Sequence, residues 1–167
     1  MGFKAVFTEG HVPEGGACLS SFVIARKGNS ILVGKMTRPE IWIEKFLMGP
    51  EWAPKYAASN KYLLPARHMI LGEHPAETAE KIVNEMLLTK GSKPRLLGVQ
   101  SHLSGDTSNP DSCHWDVCFV YGSTLKGSLK QPEWFSELRY APLRSLRADD
   151  FTRGHGDILK EMDLVKG

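Results

Sequence analysis

The sequence predicts one α/β domain built on a mixed sheet, and three observations point there. A hairpin signal lies near residues 20–33, an amphipathic helix signature follows at 75–87, and strand-like runs then precede a last helical segment. That order of elements is what a sheet covered by helices produces, because each apolar face needs a partner layer. With 167 residues, 41% of them apolar, the chain has the bulk for a single core spanning residues 1–167.

Each element has its own signal. Residues 1–17 read as an irregular lead-in, since Gly10, Pro13, Gly15 and Gly16 break any period. Ser20–Arg26 reads as a strand through Phe22, Val23 and Ile24. Lys27-Gly28-Asn29-Ser30 supplies turn chemistry, and Ile31-Leu32-Val33 starts the return strand. Residues 38–62 form an enlarged aromatic-rich insert holding Trp42, Trp52, Tyr56 and Tyr62. In it Pro39 opens a short helix and Gly49-Pro50 stops it. Two roles are open for those rings, a lid packed on the core or a platform on which a base stacks.

At about 100° per residue, Ala76, Ala79, Ile82, Val83, Met86 and Leu87 share one face of a helix that Pro75 opens. Glu77, Glu80, Lys81 and Asn84 lie opposite, and Glu85 stands at the margin. Lys90-Gly91-Ser92-Lys93-Pro94 breaks the chain, Arg95–His102 reads as a strand, and Ser104–Ser112 as a polar loop. In the strand His114–Tyr121, His114, Asp116 and Cys118 alternate against Trp115, Val117 and Phe119. The polar set faces solvent or a cleft, and it serves as a zinc site only if three strand residues converge. Trp134–Ala141 reads as a strand or turn and Gly154–Met162 as a helix, with His155 placed in the turn before it.

Composition excludes more than it assigns. Net charge is +2, so no overall field argues for nucleic acid or an anionic membrane. Cys18, Cys113 and Cys118 form no C-x-x-C and read as free thiols in a reducing compartment. No apolar run reaches the roughly 20 residues that span a bilayer, and Met1–Val6 has no leader character. A cytoplasmic location is expected.

Loop and helix together are the most informative stretch. Leu64-Pro65-Ala66-Arg67-His68-Met69-Ile70-Leu71-Gly72-Glu73, running into the helix, is similar to the Nudix box, G-x5-E-x7-R-E-U-x-E-E-x-G-U with U a bulky aliphatic residue. In that register Arg67 takes the first glycine and Glu73 the first glutamate. Lys81 takes the arginine, Ile82 the next glutamate and Val83 the aliphatic site. Glu85 takes the first of the paired glutamates, Met86 the second, and Leu88 the late glycine. Leu64-Pro65 upstream, His114–Tyr121 downstream, and the later Ser136–Leu143 and Phe151–Leu159 stretches also resemble the family's segments.

The resemblance implies a Nudix-type α/β/α sandwich and hydrolysis of a nucleoside diphosphate linked to another moiety, with Mg²⁺ or Mn²⁺. Glu73 and Glu85 are the implied metal ligands and catalytic carboxylates. Arg67, Lys81, His114 and Asp116 are the candidates for substrate contact, and a homodimer is allowed. Hard divalent cations need oxygen ligands, however, and Ile82 and Met86 place hydrocarbon where two carboxylates belong. Ala66-Arg67 also replaces the usual Gly-Gly, so Arg67 either clamps a phosphate or fills the emptied cation position. Three readings follow. One is a hydrolase with a diverged site and weak or altered activity, needing its metal. The second is a metal-free binding module for a nucleotide-like ligand or RNA end, and the third a protein-interaction domain.

Overall fold

β1, Ala17–Lys27, is buried on both faces from Ser20 to Ala25. Phe22 and Ile24 point to one side and Val23 and Ala25 to the other, which places β1 at the centre of a sheet. The structure, a computed structural model, describes residues 17–104 and 114–166, with side chains over 17–102 and 115–166. The lead-in before Ala17 and the polar loop with Asp106, Asp111 and Cys113 lie outside the described residues.

The expected hairpin forms from β1 and β2, Ser30–Met36, turning at Gly28 with φ of 57°. Next come α1 (Pro39–Phe46), α2 (Ala53–Ser59), β3 (Tyr62–Leu63) and β4 (Ala66–His68). α3 (Pro75–Lys81) runs directly into a π-helical segment, Ile82–Met86. β5 (Lys90–Gly91), β6 (Arg95–Ser104), β7 (His114–Ser123), β8 (Leu125–Lys126), β9 (Phe135–Pro142) and α4 (His155–Glu161) complete the order. The large sheet runs β3-β2-β1-β7-β6, with β4 added to β1 and β9 to β2. It is mixed: β1 and β7 are parallel from Ala17↔Trp115 to Ala25↔Ser123, and β6 and β7 are antiparallel. β5 and β8 make a separate two-stranded ribbon.

Two cores cover the two faces, and the α/β/α sandwich is therefore real. Val23, Ala25 and Tyr121 meet Ala79, Ile82, Val83, Met86 and Leu87 on one side. Phe22, Ile24, Cys118 and Val120 meet Ile158 and Leu159 of α4 on the other. The first half of the aromatic insert is core. Trp42 is fully buried, donates Nε1–H to Thr37 O and Trp134 O at 3.0 Å each, and packs against Phe46 and Phe135 at 5.2 and 5.3 Å. The second half stays outside: Trp52 stacks on Tyr56 at 6.0 Å and remains 47% exposed. Among the described residues no helix is long and apolar enough to cross a membrane.

Candidate functional site

The loop after β4 is tied to α3 by one carboxylate. Glu73 Oε2 accepts from Thr78 Oγ1 at 2.7 Å and from the Ile70 amide at 3.2 Å, while Oε1 pairs with the Lys81 ammonium. The side chain is only 5% exposed. Burial pushes the carboxyl up, but the Lys81, Thr78 and Ile70 hydrogen bonds outweigh it and hold Glu73 at about 2. The helix start is secured separately, by His74 Nδ1 accepting the Ala76 amide and Glu77 accepting the His74 amide. Glu73 and Lys81 thus meet, and the carboxylate holds the loop to the helix.

The other carboxylate has a different environment. Arg67, on β4, pairs with Ser21 of β1, so its side chain lies on the α3 face of the sheet. It is 6% exposed, its Nη1 donates to Glu85 Oε2 at 3.1 Å, and its buried Nε has no hydrogen-bond partner. Glu85 itself is 58% exposed. Ile82 and Met86, on either side of it in sequence, have no exposed surface and belong to the core. The segment is π-helical, with the Leu87 amide bonded to Ile82 O at 3.0 Å, a geometry that recurs at functional positions. Two residues past its last residue, Met86, Leu88 has a φ of 48°. The left-handed conformation is therefore present where the register expects glycine.

A divalent metal does not fit these groups. A hard cation collects six or more oxygens, yet of Glu73 and Glu85 it is Glu85 that faces solvent, and a guanidinium already sits 3.1 Å from it. No group of three or more His, Cys, Asp and Glu suited to a metal occurs among the described residues.

Asp116 does not join this cluster. Asp116 pairs with Cys18 across β1 and β7, in register with Ser20 opposite Cys118, and so stands on the α4 face. The side chain of His114, at the start of β7, lies outside the described residues. The alternation along the strands puts Asp116 on the opposite face from Arg67, with the sheet between them. Cys118 is buried and its thiol is pushed up to about 12 by burial and by Asp116; Cys18 shifts the same way for the same two causes, and both are free.

The α4 face has polar groups that sequence reading missed. Ser20 Oγ lies 3.1 Å from His68 Nδ1, and Arg153, in the left-handed region with φ of 60°, lies over the Tyr56 ring at 5.6 Å. His155, read as part of a turn, is instead buried: its Nδ1 accepts the Leu64 amide at 2.9 Å. Burial, then Arg153 and His68, hold its pKa well below the ordinary value. No sequence pattern marks these contacts, since each partner is more than forty residues away.

The sequence matches no family model and no curated protein. The fold is nonetheless shared with solved structures. A MutT NUDIX hydrolase from Burkholderia pseudomallei superposes with a TM-score of 0.58 at 17% identity, over 86% of this chain and 96% of that one. An ADP-ribose pyrophosphatase from Streptococcus suis gives 0.56 at 13% identity, over 88% and 87%. The NUDIX domain of Shewanella oneidensis NrtR, complexed with ADP ribose, gives 0.53 at 13% identity, over 88% and 85%. The chain has the Nudix fold.

Proposed function

We propose that this Nudix-fold chain binds a nucleoside-diphosphate-type ligand through a built-in guanidinium and does not carry out metal-dependent hydrolysis. The observation that carries the reading is the contact between buried Arg67 and exposed Glu85. A buried guanidinium needs an anion, because its desolvation is otherwise uncompensated. Glu85 supplies that anion from a solvent-facing position and can swing away when a phosphate takes its place. The exchange leaves the buried charge neutralised throughout. Arg67 offers a planar fork suited to phosphate oxygens, with Nε still unpaired. A pyrophosphate that would be bridged by Mg²⁺ in a hydrolase is here met by a fixed cation that cannot activate water. Support for this ligand class comes from the solved neighbour crystallised with ADP ribose.

Ligand-induced thermal shift in EDTA tests the reading. ADP-ribose should raise the melting temperature without metal, Arg67→Ala should abolish the shift, and Glu85→Gln should enlarge it by removing the competing anion. Turnover of ADP-ribose or a dinucleoside polyphosphate with Mg²⁺ or Mn²⁺, lost in Glu85→Gln, would replace this reading with a diverged hydrolase.

A further inference from the structure

The net charge of +2 hides a strong segregation of charge. Residues 15–39, 86–105 and 117–132 contain no Asp or Glu. These stretches meet at one end of the sheet. β1 ends there in Arg26 and Lys27, and Ala25 pairs with Ser123 at the end of β7. Ser92 bonds to Thr124 through both its amide and its hydroxyl, which brings Lys93 alongside. Arg95 pairs with Gly122, and Lys90 stands directly opposite Lys126 in the β5–β8 ribbon. With Lys130, all of these lysines and arginines are exposed, and none forms an ion pair among the described residues. Like charges placed directly opposite in a ribbon are destabilising, a cost that structure alone gives no reason to carry.

The same end holds a cleft of about 540 Å³. Its rim carries Arg26, Lys27, Thr124 and Ser128, and its wall is apolar through Leu125, Leu129 and the half-buried Tyr140 ring, with Lys27 Nζ 5.8 Å from the ring centroid. The cleft is bounded by the turns at Gly28 and Gly127, both at positive φ (57° and 79°). The volume lies within the range of ligand pockets. Cations, hydroxyls and one aromatic wall around a concave surface suit phosphates flanking a planar base. The cations extend well past the cleft, along β5, β8 and the start of β6, which exceeds the footprint of a mononucleotide.

We propose that this basic pole is a docking surface for single-stranded nucleic acid, with backbone phosphates on Arg26, Lys27, Lys90 and Lys126 and a base in the cleft beside Tyr140. An anionic membrane is the competing partner, since Leu96 and Leu97 are exposed next to Arg95. The concave, aromatic-walled shape favours nucleic acid. The surface is separate from the Arg67–Glu85 site and does not depend on how that site is read.

Fluorescence anisotropy with a labelled 20-nucleotide oligo(U) tests it. Four phosphate contacts predict a log–log salt slope near roughly −2.8, or about 50-fold weaker binding at 200 than at 50 mM salt. Lys90→Gln with Lys126→Gln should lower the slope by about 1.4 and weaken binding roughly tenfold or more at low salt. Arg26→Gln alone gives an independent second variant, and Lys61→Gln with Lys160→Gln, exposed cations elsewhere, should leave binding unchanged. Any one of four results overturns the proposal: no oligo(U) binding at 50 mM salt; binding lost in Arg67→Ala but kept in the Lys90/Lys126 variant; tight binding of vesicles rich in phosphatidylserine with none of oligo(U); or uridine monophosphate binding as tightly as the oligomer.

Discussion

The two ends of the loop–helix treat their carboxylates in opposite ways. Glu73, at the entrance, is nearly buried, accepts from three donors and is held at about 2. Glu85, in the π-helical segment, is mostly exposed and has one charged partner, Arg67, itself buried. The first carboxylate is part of the fold. The second is the exchangeable half of an ion pair, and only there does the arrangement leave an opening for a ligand. Two glutamates that occupy equivalent-looking places in a motif therefore carry different roles because their solvent exposure differs.

The most severe way to break the comparison is to place carboxylates at 82 and 86, where the resemblance to the Nudix box expects them. Ile82 and Met86 are fully buried between the sheet and Trp134, whose Nε1 donates to Met86 O at 3.0 Å. Ile82→Glu with Met86→Glu would place two charges in hydrocarbon, each costing several kcal/mol even after the groups protonate. The double variant should fail to fold, read as loss of a cooperative urea transition by circular dichroism. A folded variant with metal-dependent activity would mean that the segment can turn these positions outward.

Neutralising each glutamate separately sharpens the contrast. Glu73→Gln should cost on the order of 2–3 kcal/mol, less than the roughly 3.4 kcal/mol that its depressed titration gives at 1.36 kcal/mol per unit, because its Lys81 partner is 42% exposed and screened by water. Glu85→Gln should cost less, about 1–2 kcal/mol: the buried guanidinium loses its anion but keeps an acceptor in the glutamine oxygen, and the lost carboxylate was itself mostly in water. Urea midpoints at pH 7 would show the difference, and equal losses would refute it. Their pH dependence separates further. The folded pKa of Glu73 lies below its ordinary 4.5, so its contribution is complete above that value and is lost as pH falls from 4.5 towards 2. Glu73→Gln should flatten stability across that window. His155 acts earlier: its folded pKa is depressed, so the unfolded chain takes up a proton first and stability falls as pH drops below about 6.5, by up to about 1.4 kcal/mol per unit.

Much of the fold was legible because it rests on local period. The hairpin, the buried face Ala79–Leu87, β6, β7 and α4 follow from alternation or from the helical repeat. β3, β4, β5 and β8 have two or three residues each, too few to show a period, and they form because longer neighbours offer them pairing. The site was legible in composition but not in state. The sequence supplies Arg67 and Glu85 eighteen positions apart, yet nothing local reveals that the arginine is buried and the glutamate exposed. Helical counting at 100° also missed the π-helical turn, which forms where tertiary packing of Ile82 and Met86 overrides the α-helical ladder. His155 shows the same limit: its role comes from an amide ninety-one residues away.

The smallest expected effect tests the register itself. Leu88 is 54% exposed and left-handed at φ of 48°, a conformation that costs a non-glycine residue about 1–2 kcal/mol. Glycine relieves that strain but adds entropy to the unfolded chain, which offsets part of the gain. Leu88→Gly should therefore stabilise the protein by roughly 0.5–1 kcal/mol, seen as a higher urea midpoint with an unchanged slope. The gain should be present in the Glu85→Gln background too, because backbone strain at the end of the π-helical segment does not depend on what Arg67 binds. A loss of stability instead would mean that the Leu88 side chain makes a contact worth more than its strain.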